Sequence, residues 1–144
     1  MIDFTNVISI DRPSSEVYDY LSDLEHTPEW NWAITETRKA TAGPIGVGTR
    51  YQQTRTVPAP ATEDLEITGL TQDQWIEIAG TLARFPARLS YRLSERDGAT
   101  EVTNTVMLES PGALGLIAPV LAPRIKRAVA DNLDDLKQKL EAGR

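Results

Sequence analysis

The chain of 144 residues contains no cysteine. Disulfides, thiolate nucleophiles and Cys-ligated zinc or iron–sulfur centres are therefore excluded. Histidine is nearly absent too: His26 stands alone, which argues against a Ser-His-Asp triad and any multi-histidine metal site. No metal or cofactor is expected. Positive charge is scarce, with 15 Lys and Arg against 21 Asp and Glu, a net charge of −6 and a pI near 4.8. A phosphate-backbone partner would need these few cations on one face, so no nucleic-acid role is expected. Long hydrophobic runs are missing as well. The longest, 113–122, is interrupted by Gly115 and Pro119 and falls well short of the roughly 20 apolar residues of a membrane span. Met1 to Ile10 has neither a basic nor an apolar leader segment, so the expected location is cytoplasmic.

What is present suffices for a folded core. A hydrophobic content of 40% with 25% charged residues is that of a globular domain rather than a disordered chain. The length fits one domain spanning 1–144.

Residues 2–10 largely alternate, with Ile2, Phe4, Ile8 and Ile10 on one side; Asn6 and Val7 are exceptions. That period of two predicts a half-buried strand. Asp11-Arg12-Pro13 closes it, and Ser14 or Ser15 is expected to cap a helix carrying Val17, Tyr18, Leu21 and Leu24. His26-Thr27-Pro28-Glu29 breaks this helix and begins a short second one ending near Trp30 to Trp32. Strands are then expected at Thr35–Ala40, Thr49–Val57, Glu63–Leu70, Trp75–Leu82, Arg88–Glu95 and Thr100–Glu109. Gly43 to Gly48 connects the first two, and Arg96-Asp97-Gly98 is a hairpin signal. Short turns between evenly spaced strands imply an antiparallel meander. Ile117, Leu121, Ile125, Ala128, Val129, Leu133, Leu136 and Leu140 recur at helical steps, with a break or kink expected near Pro119 and Pro123. The order predicts an α+β domain in which the sheet wraps the last helix.

Read in order, several segments carry a family likeness. They are Ile10-Asp11-Arg12-Pro13 with Val17, Tyr18 and Leu21; Pro28-Glu29-Trp30; Gly43-Pro44-Ile45-Gly46-Val47-Gly48-Thr49-Arg50-Tyr51; Gly98-Ala99-Thr100-Glu101-Val102-Thr103; and Leu133-Asp134-Asp135-Leu136-Lys137. Their order and spacing, nearly end to end, resemble the START-like (SRPBCC) superfamily and most closely its polyketide cyclase/dehydrase-type branch. The resemblance implies a helix-grip fold: a curved antiparallel sheet of about seven strands around a long C-terminal helix, with two short helices after the first strand, enclosing an apolar cavity. It implies no shared catalytic set, and it places the glycine-rich connection near the cavity entrance.

Gly43 to Gly48 lacks the Lys-Ser/Thr of a phosphate-binding loop and opens a strand, so it reads as a turn. His26 reads as an exposed loop residue rather than a general base, because no local spacing supplies an orienting carboxylate. The acids Glu63, Asp64 and Glu66 do not converge with other acids, and Arg84, Arg88 and Arg92 read as a solvated stripe. If Ile76 and Ile78 point inward, Trp75 lies on the convex side. The presumed inner face is the informative one. Tyr51, Gln53 and Arg55 share one side of a strand, Leu89 and Tyr91 one side of another, and Asn104 and Val106 one side of the last. With Trp30, Ile76, Ile78, Leu121 and Ile125 these are the candidate ligand-binding residues: apolar walls with a few convergent hydrogen-bonding groups. A one-residue register slip would instead place Gln53 and Arg55 in water. An inward Arg55 favours an anionic group on the ligand, since an unpaired buried cation costs several kcal/mol.

The expected function is binding of a small, mainly hydrophobic, polyketide- or lipid-like molecule. A cofactor-independent cyclase/aromatase or dehydrase acting through Arg55, Tyr91 or Asn104 is the alternative, and a protein acting through its surface ranks third. Oligomeric state is not readable from the sequence.

Overall fold

The structure, a computed structural model, describes residues 1–109 and 112–143, without the side chains of residues 113 and 114. The first side chains of the apolar run 113–122 and the last residue of the 1–144 span therefore lie outside the described residues. The elements are β1 (Ile2–Ile10), α1 (Ser14–Ser22), a 3-10 turn (Leu24–Glu29), β2 (Ile34–Lys39), β3 (Arg50–Arg55), β4 (Ala61–Thr71), β5 (Trp75–Leu82), β6 (Phe85–Arg96), β7 (Ala99–Leu108), a second 3-10 turn (Gly112–Leu116) and α2 (Ala118–Ala142). All seven strands form one curved antiparallel sheet in the order β1-β7-β6-β5-β4-β3-β2. Only the β1–β7 neighbours are distant in sequence, which closes the meander against its first strand.

Local chemistry accounts for most boundaries. Asp97 and Gly98 both adopt positive φ, at 54° and 80°, the conformation a two-residue hairpin turn demands. That turn sets the β6–β7 register, so Tyr91 pairs with Asn104 and Leu93 with Val102. Gly80 is required for a different reason: a Cβ there would lie 2.2 Å from the Asp64 carbonyl oxygen of the neighbouring strand. The Gly43–Gly48 connection is a turn, with positive φ at Gly43 and Gly48 and mutual Gly46–Thr49 hydrogen bonds.

Three helix expectations are corrected. The N-cap of α1 is Pro13, not Ser14 or Ser15. Ser14 instead turns its amide and hydroxyl to the Glu95 carboxylate, at 2.7 and 3.0 Å. A sheet carboxylate thus supplies the negative charge that a helix N-terminus favours. Leu24 belongs to the following 3-10 turn, which Asp23 caps by accepting from the Glu25 amide and which ends at Glu29. The C-terminal helix is not broken at its prolines: Pro119 occupies its first turn, where no amide partner is needed. Pro123 lies inside the helix and forfeits one backbone hydrogen bond near the end.

The concave face carries the core. One cluster joins α1 (Val17, Tyr18, Leu21) to Ile67, Ile76, Leu93 and Val102 and to Leu133 and Leu136 of α2. A second joins Ile2, Phe4, Val106 and Leu108 to Ala118 at the start of α2. Each fully buried aliphatic side chain here stabilises the fold by about 1.5–3 kcal/mol. The two clusters hold opposite ends of α2, and a space remains beneath its middle.

Candidate functional site

That space is a cavity of about 470 Å³ between the concave face, α2 and the 3-10 turn before β2. The even sides of β1, β5 and β7 and the odd sides of β3, β4 and β6 face inward, as strand alternation requires. Ile78, Leu89 and Val106 sit side by side on β5, β6 and β7 and form the apolar floor, while Leu121, Ile125 and Val129 of α2 form the roof. Trp30, buried after the 3-10 turn, makes an end wall. Exposed Trp32, Val57, Pro58, Arg124 and Ala128 surround the mouth.

Two polar groups interrupt this apolar enclosure. The first lies on β3 and β4. Gln53 is directly opposite Glu63 and donates to its Oε1 at 2.8 Å, while the Arg55 guanidinium donates through Nε to Oε2 at 2.9 Å. The Ala83 amide completes the set on Oε2. Glu63 is 1% exposed, and a carboxylate so buried persists because charge and hydrogen bonds satisfy it. Arg55 faces inward and finds its anion within the protein, at Glu63, where an anionic group on the ligand was expected. The acid was identified in the sequence, but its partner is a base across the hairpin rather than another acid.

The second group lies on β6, β7 and α2, and it is unpaired. Tyr91 and Asn104 are cross-strand neighbours, and Asn132 of α2 lines the same cavity. Asn104 donates through Nδ2 to the Ser90 carbonyl at 3.1 Å, so its Oδ1 has no partner. Asn132 Oδ1 is likewise buried without one. Among the described residues the Tyr91 hydroxyl makes no hydrogen bond. Burial pushes its phenol well above the ordinary value, keeping it protonated.

Ten of the twelve candidate residues line the cavity: Trp30, Gln53, Arg55, Ile78, Leu89, Tyr91, Asn104, Val106, Leu121 and Ile125. Tyr51 and Ile76 do not. Tyr51 is 1% exposed and packs in the α1 cluster, where burial, aided by Asp23 and Glu25, pushes its phenol up to about 12. Ile76 is fully buried in the same cluster. Both face inward, but α1 covers that end of the sheet. Asn132 went unnoticed in the sequence although it falls on the apolar stripe, seven residues beyond Ile125. His26 is half-buried rather than exposed. Its ring stacks on Tyr20 with centroids 4.4 Å apart, and Nδ1 donates to the Tyr20 carbonyl at 2.9 Å. No residue from Gly43 to Gly48 lines the cavity, so the glycine-rich connection is not at its entrance. On the convex face Arg88 pairs with Glu77 at 3.0 Å and Arg92 lies 4.8 Å from the Trp75 ring centroid.

A curved sheet gripping a C-terminal helix over an apolar cavity defines the START-like class. The chain belongs to the polyketide cyclase/dehydrase and lipid transport family, whose model matches residues 1–141. Solved structures share the fold. A START superfamily protein from Mycobacterium smegmatis has a TM-score of 0.82 at 10% identity, covering 100% of both chains. A protein from Thermus thermophilus has 0.77 at 16% identity, covering 98% of each. The Zhui aromatase/cyclase from a Streptomyces species has 0.75 at 14% identity, covering 96% of this chain and 93% of its own. No curated protein matches the sequence significantly. Family and fold are consistent with hydrophobic ligand binding or a polyketide cyclase-like role, and no helix among the described residues is long and apolar enough to cross a membrane.

Proposed function

We propose that the protein binds a small, mainly hydrophobic molecule in the cavity between the sheet and α2. The observation that carries this reading is the enclosure itself: about 470 Å³ walled by aliphatic and aromatic side chains and bearing few polar atoms. Closely packed interiors do not leave such a volume without cause, and its size and lining are those of sites that bury small ligands. Trp30 on the end wall makes the test direct. Titration with hydrophobic probes should change tryptophan emission saturably, and Trp30→Phe should remove most of the change. Saturable binding by no probe class would overturn the reading. Native mass spectrometry of gently purified protein, followed by denaturation, should release the resident molecule.

A cyclase- or dehydrase-like activity is the second reading, favoured by one observation. Tyr91 and Asn104 stand opposite each other on neighbouring strands, and both line the cavity. They could address a common substrate atom. Catalysis ranks below binding because a phenol raised well above its ordinary value is a poor proton donor near neutrality. His26 does not line the cavity, and Glu63 is saturated by its three donors. Turnover of a polyketide analogue that Tyr91→Phe abolishes without loss of binding would reverse the order.

A further inference from the structure

The rim of the cavity carries an exposed apolar surface that binding inside the cavity does not explain. Trp32 and Val57, at the mouth, are 60% and 37% exposed, and Ile117 and Val120, at the start of α2, are 45% and 63% exposed. We propose that this rim is a docking surface, by which the protein lies on an anionic lipid bilayer without crossing it.

The helical pattern makes these residues one surface. Ile117, Val120, Leu121, Arg124 and Ala128 recur at three- and four-residue steps, so they run along one flank of α2. Leu121, Arg124 and Ala128 line the same cavity as Trp32 and Val57. Ile117 and Val120 therefore continue on the helix the rim that Trp32 and Val57 begin. Single exposed apolar residues need no explanation, but a group of them around one opening does.

Charge separates this rim from the rest of the molecule. Segments 30–35, 56–62, 81–87 and 110–130 supply the rim and the adjoining walls. They contain Arg84, Arg124, Lys126 and Arg127 and not one Asp or Glu, in a chain with 21 acids and a net charge of −6. Arg124 and Arg127 are exposed and enter no ion pair among the described residues. An anionic surface attracts these cations and repels the acidic remainder, which turns the mouth toward it. The apolar residues come from separate segments around an opening, not from a closed groove. A fluid acyl layer covers them together, whereas a folded partner would have to fit the opening. Trp32 suits the boundary between lipid and water, where an amphipathic ring is favoured. Leu133 and Leu136 hold the second half of α2 in the core, so the helix rests on the bilayer at a depth of about 5–10 Å. On the reading that a hydrophobic molecule occupies the cavity, such a mouth passes it to or from the membrane without crossing water. The docking itself does not depend on that reading.

Sedimentation with vesicles tests this, using phosphatidylcholine alone and equal parts of phosphatidylcholine and phosphatidylglycerol. The protein should pellet with the mixed vesicles and bind the neutral ones at least about tenfold more weakly. Arg124→Gln and Arg127→Gln should each weaken binding to the mixed vesicles about fivefold and leave neutral binding unchanged. Trp32→Ser and Val120→Ser should each weaken binding to both by at least about fivefold. Val7→Ser, at a residue 59% exposed on the outward side of β1, should change nothing. No pelleting with the mixed vesicles, equal binding to both compositions, or equal losses in Val7→Ser and Val120→Ser overturns the proposal. Self-association in vesicle-free buffer that Val120→Ser abolishes also overturns it, by assigning the rim to a second copy of the chain. Soluble hydrophobic probes need no bilayer, so failure of vesicle binding with probe binding retained overturns the docking alone.

Discussion

Two sets of polar side chains lie between the sheet and its helices, and their circumstances are opposite. Gln53, Arg55 and Glu63 form a closed set in which charge meets charge and Glu63 is filled by three donors. Asn104 and Asn132 present two orphan oxygens, with an unbonded Tyr91 hydroxyl beside them. As sequence, both look the same: polar residues on the inward side of apolar elements. The difference shows that polar residues on the inward side of apolar elements can be matched within the protein or left over. A saturated set contributes rigidity, whereas an unsaturated set lowers stability.

The comparison is broken most forcefully at Glu63. Glu63→Leu leaves the Arg55 cation, 13% exposed in its side chain, without its anion and should cost about 3–5 kcal/mol in urea unfolding. Adding Arg55→Met should recover most of that loss, because a buried ion pair replaced whole by apolar groups is often neutral. If the single substitution costs under about 1 kcal/mol, the set is not structural. Glu95 extends the paired category to the rim of the sheet. Glu95→Ala should lower stability by about 1 kcal/mol, the scale of a lost helix cap, and should loosen α1 in amide exchange.

At Asn132 the expected sign reverses. Asn132→Leu should leave the ligand-free protein as stable as before or raise its stability by up to about 1 kcal/mol, since an unsatisfied oxygen is replaced by hydrocarbon. A thermal melt showing clear destabilisation would place Asn132 among the matched residues. The smallest effect concerns pH. Glu141 accepts from the Asp11 amide and from Lys137, at 2.8 and 2.6 Å, and these hold its carboxyl below the ordinary 4.5. A lowered folded-state value contributes stability above the unfolded value and loses it as pH falls through the folded one. The acid limb below about pH 4.5 should therefore flatten slightly in Glu141→Gln, and 1 M salt should shrink the difference.

Much of this architecture was legible because it is written locally. The Asp97-Gly98 turn alone implies that residues pair symmetrically about it, which places Tyr91 opposite Asn104. The stretch around Pro58 likewise centres the β3–β4 hairpin and puts Gln53 opposite Glu63, a signal not used in reading the acids. Strand alternation identified the inward side of each strand, Tyr51 and Ile76 included. It could not show that α1 would cover those two, because that depends on where a helix lands on the sheet. Asn132 was missed because the helical pattern was traced through apolar residues, and an amide within the stripe looked like an interruption. The capping of α1 was misassigned for a related reason: its acceptor lies 81 residues away, on β6.

The order of elements, the inward and outward sides of the strands and the amphipathic stripe of α2 are all written in the residues themselves. Each follows from periods and turn signals spanning a few residues. Those residues also set the chemical vocabulary, since a chain without cysteine and with one histidine can furnish the cavity only with amides, phenols, guanidinium and carboxylate. Tertiary structure alone decided which of those groups are matched and which are left over. Glu63 meets Arg55 and Gln53 across a hairpin, while the Oδ1 atoms of Asn104 and Asn132 meet no donor. Hydrogen bonds depend on distances of a few tenths of an ångström between remote segments, and no local pattern encodes those distances.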